Sequence, residues 1–404
     1  MTRLLLLLAV TFTIAADWPR FRGPNGTGIT DASPVSWTKD TKPLWKVELP
    51  GKGNGSPIVA AGKVFVQTAK GDGSNRAIVA YDFDTGKHLW TKTYSGTTAK
   101  IHQKNSLASN TPACDGERVY CCFWDGKDIE LVALTIDGKE LWKAKLGGYV
   151  SQHGAGMSPI VHEGKVIVNY DQDGAAALVA YDAKTGKEAW NKSRKAYRAC
   201  YSTPMVRELS GGKTEVINFS TAGVTGYDPA SGDVNWDHTI SWGKGPPLRS
   251  IASPVLIGEM IITTTGDGSG DRYCAAVTPG KDPKVVWQQK SAKLAPYVPC
   301  PIALGKHLYW VTDQGIVECI NPLTGKAVWS ERIFNSSVSA SPILLGDVML
   351  MIDERGKAIA CKLNEKEYEK VAESDVGEPV FATPAAANGR LILRTSGGLI
   401  CYGK

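Results

Sequence analysis

Eight times along this chain, a Ser-Pro, Thr-Pro or Cys-Pro step precedes a short apolar segment. The prolines of these steps are Pro57, Pro112, Pro159, Pro204, Pro254, Pro301, Pro342 and Pro384. They span 327 residues in seven intervals, about 47 residues each. A repeat of this length is typical of propeller blades, which contain four short strands each. The sequence therefore predicts one array of eight similar units.

Most units end with the same pattern, an apolar strand, then Tyr-Asp, Thr-Gly-Lys and a tryptophan. The clearest copies are residues 78–90 (IVAYDFDTGKHLW) and 178–190 (LVAYDAKTGKEAW). The closing tryptophans are Trp90, Trp142, Trp190, Trp236, Trp287 and Trp329. Unit seven has no tryptophan there, and Tyr368 is the predicted substitute. In the third unit, strands are predicted at 158–161, 164–170, 178–182 and from 187 onwards, because β-branched and aromatic residues alternate with Gly/Asp/Lys turns.

Unit eight ends after its third strand, and its fourth is predicted at the other end of the chain, at residues 43–49 (PLWKVEL). Trp45 then takes the closing position. Pairing the two chain ends removes a free sheet edge. The predicted fold is an all-β, eight-bladed propeller of four-stranded antiparallel blades, closed by an N-terminal strand. The 22 prolines and 43 glycines argue against a helical fold.

The chain divides into three predicted parts: a signal peptide at 1–16, an N-terminal arm at 17–42 and the propeller at 43–404. Arg3, the apolar run 4–14 and the small residues 13–15 are typical of a cleaved signal peptide. No cysteine follows the cleavage site, so we expect a periplasmic or extracellular protein without a lipid anchor or a membrane span. The net charge of +6 is spread along the chain, which gives no indication of nucleic-acid binding.

The nine cysteines do not have the spacing of a zinc site. Cys319, Cys361 and Cys401 are predicted to occupy the third-strand position of Ala80 and Ala180, where a free cysteine packs as a small apolar residue. The adjacent pair Cys121 and Cys122 is predicted inside a second strand. Neighbours on a strand point to opposite faces, which opposes a disulfide between them.

The repeats with their AYD-x-x-TGK-x-x-W endings resemble those of the pyrroloquinoline quinone (PQQ)-like β-propeller superfamily, over nearly the whole chain from Trp45 to Tyr402. That superfamily includes quinoprotein alcohol dehydrogenases and the non-enzymatic assembly lipoprotein BamB. Residues 17–28 (DWPRFRGPNGTG) are similar to the opening of secreted PQQ-like propellers of planctomycete-type bacteria. Gly and Pro exclude regular structure at residues 17–28, and we expect this stretch to lie across the ring with Trp18 and Phe21 as packing anchors.

The resemblance leaves two functions open. A quinoprotein dehydrogenase holds PQQ with Ca²⁺ in the central funnel and needs a carboxylate base, an arginine beside the quinone and, in many members, a disulfide of adjacent cysteines. No position here matches the calcium or base residues of that family. Residues 171–174 (DQDG) and 266–271 (GDGSGD) resemble the start of calcium loops but lack the bidentate glutamate, so both are predicted to be hairpin turns.

Candidate binding residues lie on the predicted loops between each outer strand and the next inner strand, which meet at the funnel mouth. They are His102, Lys104, Asn105, His153, Arg198, Arg249 and Tyr297. Two arginines, a lysine and two histidines at one mouth favour a polar or anionic ligand. We therefore expect a monomeric, exported binding or scaffold protein without a cofactor, whose partner is a protein or a small polar or anionic ligand. A PQQ-dependent alcohol or sugar dehydrogenase is the alternative.

Overall fold

The computed structural model describes residues 17–30, 40–242, 249–266, 270–291 and 295–403, which form eight β-sheets. Within each sheet, four strands follow one another in antiparallel order, as the 47-residue period predicts. The predicted signal peptide and residues 31–39 of the arm lie outside the described residues. The described part of the chain holds no helix with the length and apolar character that a membrane-spanning segment requires.

Blade one contains Ile58–Ala60, Lys63–Ala69, Asn75–Asp82 and His88–Ser95, and blade two contains Ala113–Cys114, Arg118–Trp124, Asp128–Thr135 and Glu140–Gly148. Blade three contains Ile160–His162, Lys165–Tyr170, Ala176–Asp182 and Glu188–Arg194, and blade four contains Met205–Glu208, Thr214–Ser220, Gly223–Tyr227 and Val234–Thr239. Blades five to seven use Val255–Ile257, Met260–Gly266, Arg272–Thr278 and Lys284–Ser291; Ile302–Leu304, His307–Val311, Ile316–Ile320 and Ala327–Arg332; and Ile343–Leu345, Val348–Ile352, Lys357–Lys362 and Glu369–Asp375. Two 3₁₀ turns, Pro24–Gly26 and Ser210–Gly212, accompany them.

Blade eight combines both ends of the chain, as the sequence predicts. Its strands are Ala385–Ala387, Arg390–Arg394, Gly398–Gly403 and the N-terminal Trp45–Glu48. Trp45 pairs with Cys401 in an antiparallel register. The largest apolar cluster joins blades seven, eight and one at this closure and contains Trp45 and Trp18. The N-terminal strand therefore completes both a sheet and a core layer.

In six of the eight blades, the closing tryptophan docks on the turn between the third and fourth strands of the following blade. Its indole N–H donates to a backbone carbonyl there, and the pairs are Trp45–Phe83, Trp90–Ile136, Trp142–Ala183, Trp190–Pro229, Trp287–Pro322 and Trp329–Asn364, at 2.6–3.1 Å. In five of these pairs, all except that of Trp329, the ring lies against a turn glycine. At Gly186, for example, φ is +70° and an added Cβ would be 2.5 Å from Trp142. The Thr-Gly-Lys motif therefore supplies both a left-handed turn and the space for an indole.

Two blades depart from this pattern. In blade four, the indole of Trp236 donates to Glu215 of its own blade, at 3.0 Å. In blade seven, the position opposite the third strand is held by Ala372, which pairs with Ala360. The prediction that Tyr368 substitutes for the tryptophan is wrong, because Tyr368 precedes the outer strand and its ring packs beside Trp329 of blade six, with centroids 6.2 Å apart.

The predicted positions of the cysteines within the strands are confirmed, with one exception in register. All nine cysteines lie in the described residues, and all are buried and free. Cys121 packs in the layer shared with blade one, whereas Cys122 packs in the layer shared with blade three, so they face opposite sides of their strand. Cys319 and Cys401 lie opposite closing tryptophans, as Ala80 does. Cys361 lies one position further along, because Ala360 occupies the corresponding place in blade seven.

The N-terminal arm crosses the ring on the face opposite the loops that join successive blades. Trp18 is buried and exchanges backbone hydrogen bonds with Val59 of blade one, at 2.8 and 2.9 Å. Further along, residues Ile29–Thr30 add a parallel strand to blade seven. The side chains of Arg20 and Arg22 donate to the carbonyls of Pro204 and Pro301 in blades four and six, both at 2.6 Å. The arm is thus a strap that closes one end of the central channel.

The docking contact predicts unequal effects of two alanine substitutions in blade three. Gly186 and Gly164 both have φ of +70°, so each substitution to alanine carries a left-handed penalty of about 1–2 kcal/mol. Only Gly186 faces an indole, whereas nothing lies within 4 Å of a Cβ at Gly164. Gly186→Ala should therefore lower the free energy of unfolding by roughly 1–3 kcal/mol more than Gly164→Ala, in urea denaturation. Equal losses would contradict the docking contact.

Candidate functional site

The residues that precede the eight prolines form a belt around the central channel. In six of the eight steps between blades, the backbone N–H of one such residue donates to the side chain of its counterpart in the next blade. The donor–acceptor pairs are Ser56–Thr111, Thr111–Ser158, Thr203–Ser253, Ser253–Cys300, Cys300–Ser341 and Ser341–Thr383, at 2.9–3.2 Å. At these six positions, the hydroxyl or thiol before the proline accepts the hydrogen bond, which accounts for Ser, Thr or Cys there. The belt fixes the wall of the site.

Above the belt, the loops between blades surround an axial well of about 460 Å³. Its wall is rich in hydroxyl groups and aromatic rings, including Tyr201, Tyr297 and Phe381. Phe21 of the strap forms part of its lining from below. The expectation that Trp18 and Phe21 anchor the arm holds for the buried Trp18, whereas Phe21 also reaches the well. The well therefore has a polar rim and a partly aromatic interior.

Five of the seven predicted site residues line this well. They are His102, Lys104, Asn105, His153 and Tyr297. Arg249 does not join them, because it is buried and its Nη1 lies 3.2 Å from the carbonyl of Ala199 and 3.4 Å from Asp173. Arg198 is half-buried beside the well, and its carbonyl accepts a hydrogen bond from the Cys200 thiol.

The two histidines of the well lie side by side. Their ring centroids are 4.7 Å apart, and the backbone N–H of His102 donates to the carbonyl of His153 at 3.1 Å. The side chain of Asn105 donates to the same carbonyl at 2.6 Å. Burial, together with the positive charges of Arg249, His102 and Arg198, lowers the pKa of His153 to about 4. His153 is consequently neutral at physiological pH.

The cations at the mouth have carboxylate partners. Lys104 reaches across the mouth to Glu354 of blade seven, at 2.6 Å, and Ser339 also donates to that carboxylate. Arg272 lies 3.6 Å from Asp313 and over the ring of Tyr297, 4.8 Å from its centroid. The positive field expected from the sequence is therefore largely balanced.

Asp313, Arg272 and Glu354 are functional candidates that the sequence reasoning missed. Asp313 accepts hydrogen bonds from the backbone N–H groups of Tyr297 and Val298, at 2.7 and 3.2 Å, so it ties a loop to blade six. Burial raises the pKa of Asp313, against the opposing effect of Arg272. Their position in the repeat could have indicated them, because turns between second and third strands lie on the same face of the ring as the loops between blades.

The turn at 171–174 does more than reverse the chain. The carboxylate of Asp173 accepts hydrogen bonds from the backbone N–H groups of Gln152 and Ala199, at 3.0 and 2.8 Å. It thereby fixes two neighbouring loops, which expose Val150 and Tyr197 to solvent by 59% and 55%. The second calcium-like segment, 266–271, lies partly outside the described residues. Within the described residues, no cluster of three His, Cys, Asp or Glu side chains could hold a metal ion.

Comparisons with known proteins give one family and two groups of relatives. Residues 32–127 and 103–331 match the family described as outer membrane protein assembly factor BamB. The chain is 23% identical to the outer membrane protein assembly factor BamB of Burkholderia pseudomallei (strain K96243), over 92% of this chain and 89% of that protein. It is 28% identical to the polyvinylalcohol dehydrogenase of a Pseudomonas species, over 66% of this chain and 50% of that protein.

Among solved structures, the quinohemoprotein alcohol dehydrogenase of Comamonas testosteroni matches with a TM-score of 0.64 at 16% identity. The match covers 96% of this chain and 80% of that one. At this level of identity, the similarity shows the fold alone. Function must therefore be argued from the well and its surrounding loops.

The neutral state of His153 predicts a pH-dependent loss of stability. The folded protein binds this proton with a pKa of about 4, against about 6.5 for an unperturbed histidine. The unfolded chain therefore binds more protons between these values, and the free energy of unfolding should fall as the pH drops from 6.5 to 4. His153→Gln should reduce this slope in urea titrations, with His88→Gln as the control. An unchanged slope would contradict a half-buried, neutral His153.

Proposed function

The chain belongs to the BamB family of PQQ-like β-propellers, and from that membership we propose that it is an exported, non-catalytic scaffold for a protein partner. Its partner would be a component of outer-membrane protein assembly. The loop face around the well mouth would carry that partner. This proposal rests on an observation made in this chain, namely the exposed apolar pair Val150 and Tyr197 on loops that are held rigid.

The rigidity of these loops is what favours binding. Asp173 holds the backbone beside both residues, and Arg249 lies behind it, 3.4 Å away. The backbone N–H of Tyr197 also donates to Thr221, at 3.0 Å. A prearranged aromatic side chain can bind a partner with little further loss of conformational entropy. Tyrosine next to arginine, here Tyr197 and Arg198, is the composition that interface hot spots favour.

A PQQ cofactor is less well supported as the occupant of the well. Asp313 is the carboxylate among the lining residues of the well, but two backbone amides already bind it. Cys121 and Cys122 lie inside a strand and face opposite core layers, so they cannot cover a cofactor.

Site-specific photocrosslinking tests the scaffold proposal. A photoreactive amino acid at position 197, in the intact chain expressed in its own cell envelope, should crosslink to one discrete protein of the outer-membrane assembly machinery. The same amino acid at position 323 is the control, since Leu323 is 67% exposed but lies in a turn on the opposite face. Equal crosslinking at both positions, or none at 197, would contradict the proposed interface.

The dehydrogenase alternative makes a separate prediction. PQQ with Ca²⁺, added at one hundred times a dissociation constant, would stabilise a binding protein by about 2.7 kcal/mol. Under the scaffold proposal, the melting temperature should not change, and dye-linked oxidation of alcohols or aldose sugars should be absent. A chelator-sensitive oxidation would instead support the dehydrogenase.

A further inference from the structure

A second cavity, of about 320 Å³, lies on the face opposite the mouth, between the strap and blades two to four. It is separate from the axial well, since the two share no lining residue. Its lining residues are Pro19, Arg20, Asn25, Ala113, Cys114, Val161, His162, Val206, Glu208 and Thr214. Half of these residues are apolar and half are polar, and Arg20 is the arginine among them.

Arg20 is the unusual member of this lining. Only 7% of it is exposed, and its Nη2 donates to the carbonyl of Pro204 at 2.6 Å. Its Nε is buried and has no hydrogen-bond partner. No carboxylate of the described residues forms an ion pair with it, and burial lowers the pKa of the guanidinium to about 9. A buried cation without a counterion is costly, and an anion would remove that cost.

Two other buried arginines show why the cavity matters. Arg22 and Arg394 also donate to backbone carbonyls, of Pro301 and Gly55, and also have unpaired nitrogen atoms. Neither of them lines either cavity. They can therefore serve only as structural donors, whereas Arg20 faces space that a ligand can enter.

The remaining polar groups of the cavity are mostly engaged with each other. The side-chain amide of Asn25 donates to the carbonyl of Val206 at 2.7 Å and accepts from the backbone N–H of Val206 at 2.9 Å. His162 lies 2.8 Å from the hydroxyl of Thr214, and its side chain is 21% exposed, so the cavity opens to solvent there. Glu208 is exposed at the rim and forms no ion pair with Arg20 within the described chain. The guanidinium of Arg20 thus has no ion-pair partner in the described chain, while Glu208 lines the same cavity and Glu163 lies beside it, 2.8 Å from Thr214 and 3.3 Å from His162.

We propose that this cavity binds a small organic carboxylate, with its anionic group on Arg20 and its apolar part against Val161 and Val206. The single charge of Arg20 matches a monoanion better than a phosphate dianion. A guanidinium offers the parallel N–H donors that a carboxylate accepts. The volume is at the lower end of the range for ligand pockets, which suits a short aliphatic acid.

The test is a titration of the intact mature protein with sodium butyrate, at constant ionic strength. The melting temperature should rise saturably with butyrate, and sodium chloride should not reproduce the rise. Arg20→Met should weaken the apparent affinity at least about tenfold, since a hydrogen bond to a charged group is lost. Arg394→Met is the matched control, because it removes a buried arginine outside the cavity. It should lower the melting temperature and keep the butyrate response.

A second measurement does not depend on the folding of a variant. In the wild type, butyrate should shift the ring resonances of His162, which lines the cavity, and leave those of His88 unchanged. Three results would overturn the proposal: a response to butyrate no larger than that to chloride, tighter binding of inorganic phosphate than of butyrate, or an equal loss of response in Arg394→Met. Because the scaffold proposal concerns the opposite face, failure of the carboxylate site would leave crosslinking at position 197 unaffected.

Discussion

The docking of a tryptophan on the next blade is the contact on which the rest of this structure depends. Each blade is a small sheet with two apolar faces and cannot be stable alone. The indole joins one blade to its neighbour in two ways, through a hydrogen bond to a backbone carbonyl and through packing on a turn glycine. Because the contact recurs, it transmits the same orientation from blade to blade and brings the last blade next to the first.

Closure of the ring creates a central channel whose two ends are built differently. On one side, the belt of Ser, Thr and Cys residues before the prolines holds the inner strands in register and shapes the axial well. On the other side, the strap crosses the channel and places Arg20 against blade four. The two faces therefore differ in chemistry: the mouth has paired charges and exposed apolar loops, whereas the opposite face has a buried cation in a small cavity.

Most of the fold could be predicted from the sequence, because its repeat encodes contacts that are local to each pair of blades. The borrowed strand at Trp45 follows from the same logic. Departures arose where one residue has a stronger partner nearby. Trp236 donates to Glu215 of its own blade, and no motif in the turn of blade five reveals this. In blade seven, the absence of a tryptophan left the register undetermined, and Ala372 rather than Tyr368 holds the position.

The site was harder to predict, because its residues meet only after the ring has closed. The loops between blades correctly indicated His102, His153 and Tyr297 as neighbours of the well. The net charge of the mouth was misjudged, since Lys104 and Arg249 pair with acidic residues in hairpin turns that are distant in the sequence. A count of cations on loops cannot reveal such pairs. The path of the strap depends on arginines that donate to backbone carbonyls. Because every residue has a carbonyl, the sequence does not identify these acceptors.

Hydrogen–deuterium exchange of the intact protein tests the closed ring most directly. The backbone amide of Leu44, which donates to the carbonyl of Cys401 at 2.8 Å beside the pairing of Trp45–Glu48 with Gly398–Gly403, should be strongly protected. Exchange of the Leu44 amide and of all amides of residues 45–48 at the rate of an exposed loop would show that the two chain ends do not share a sheet.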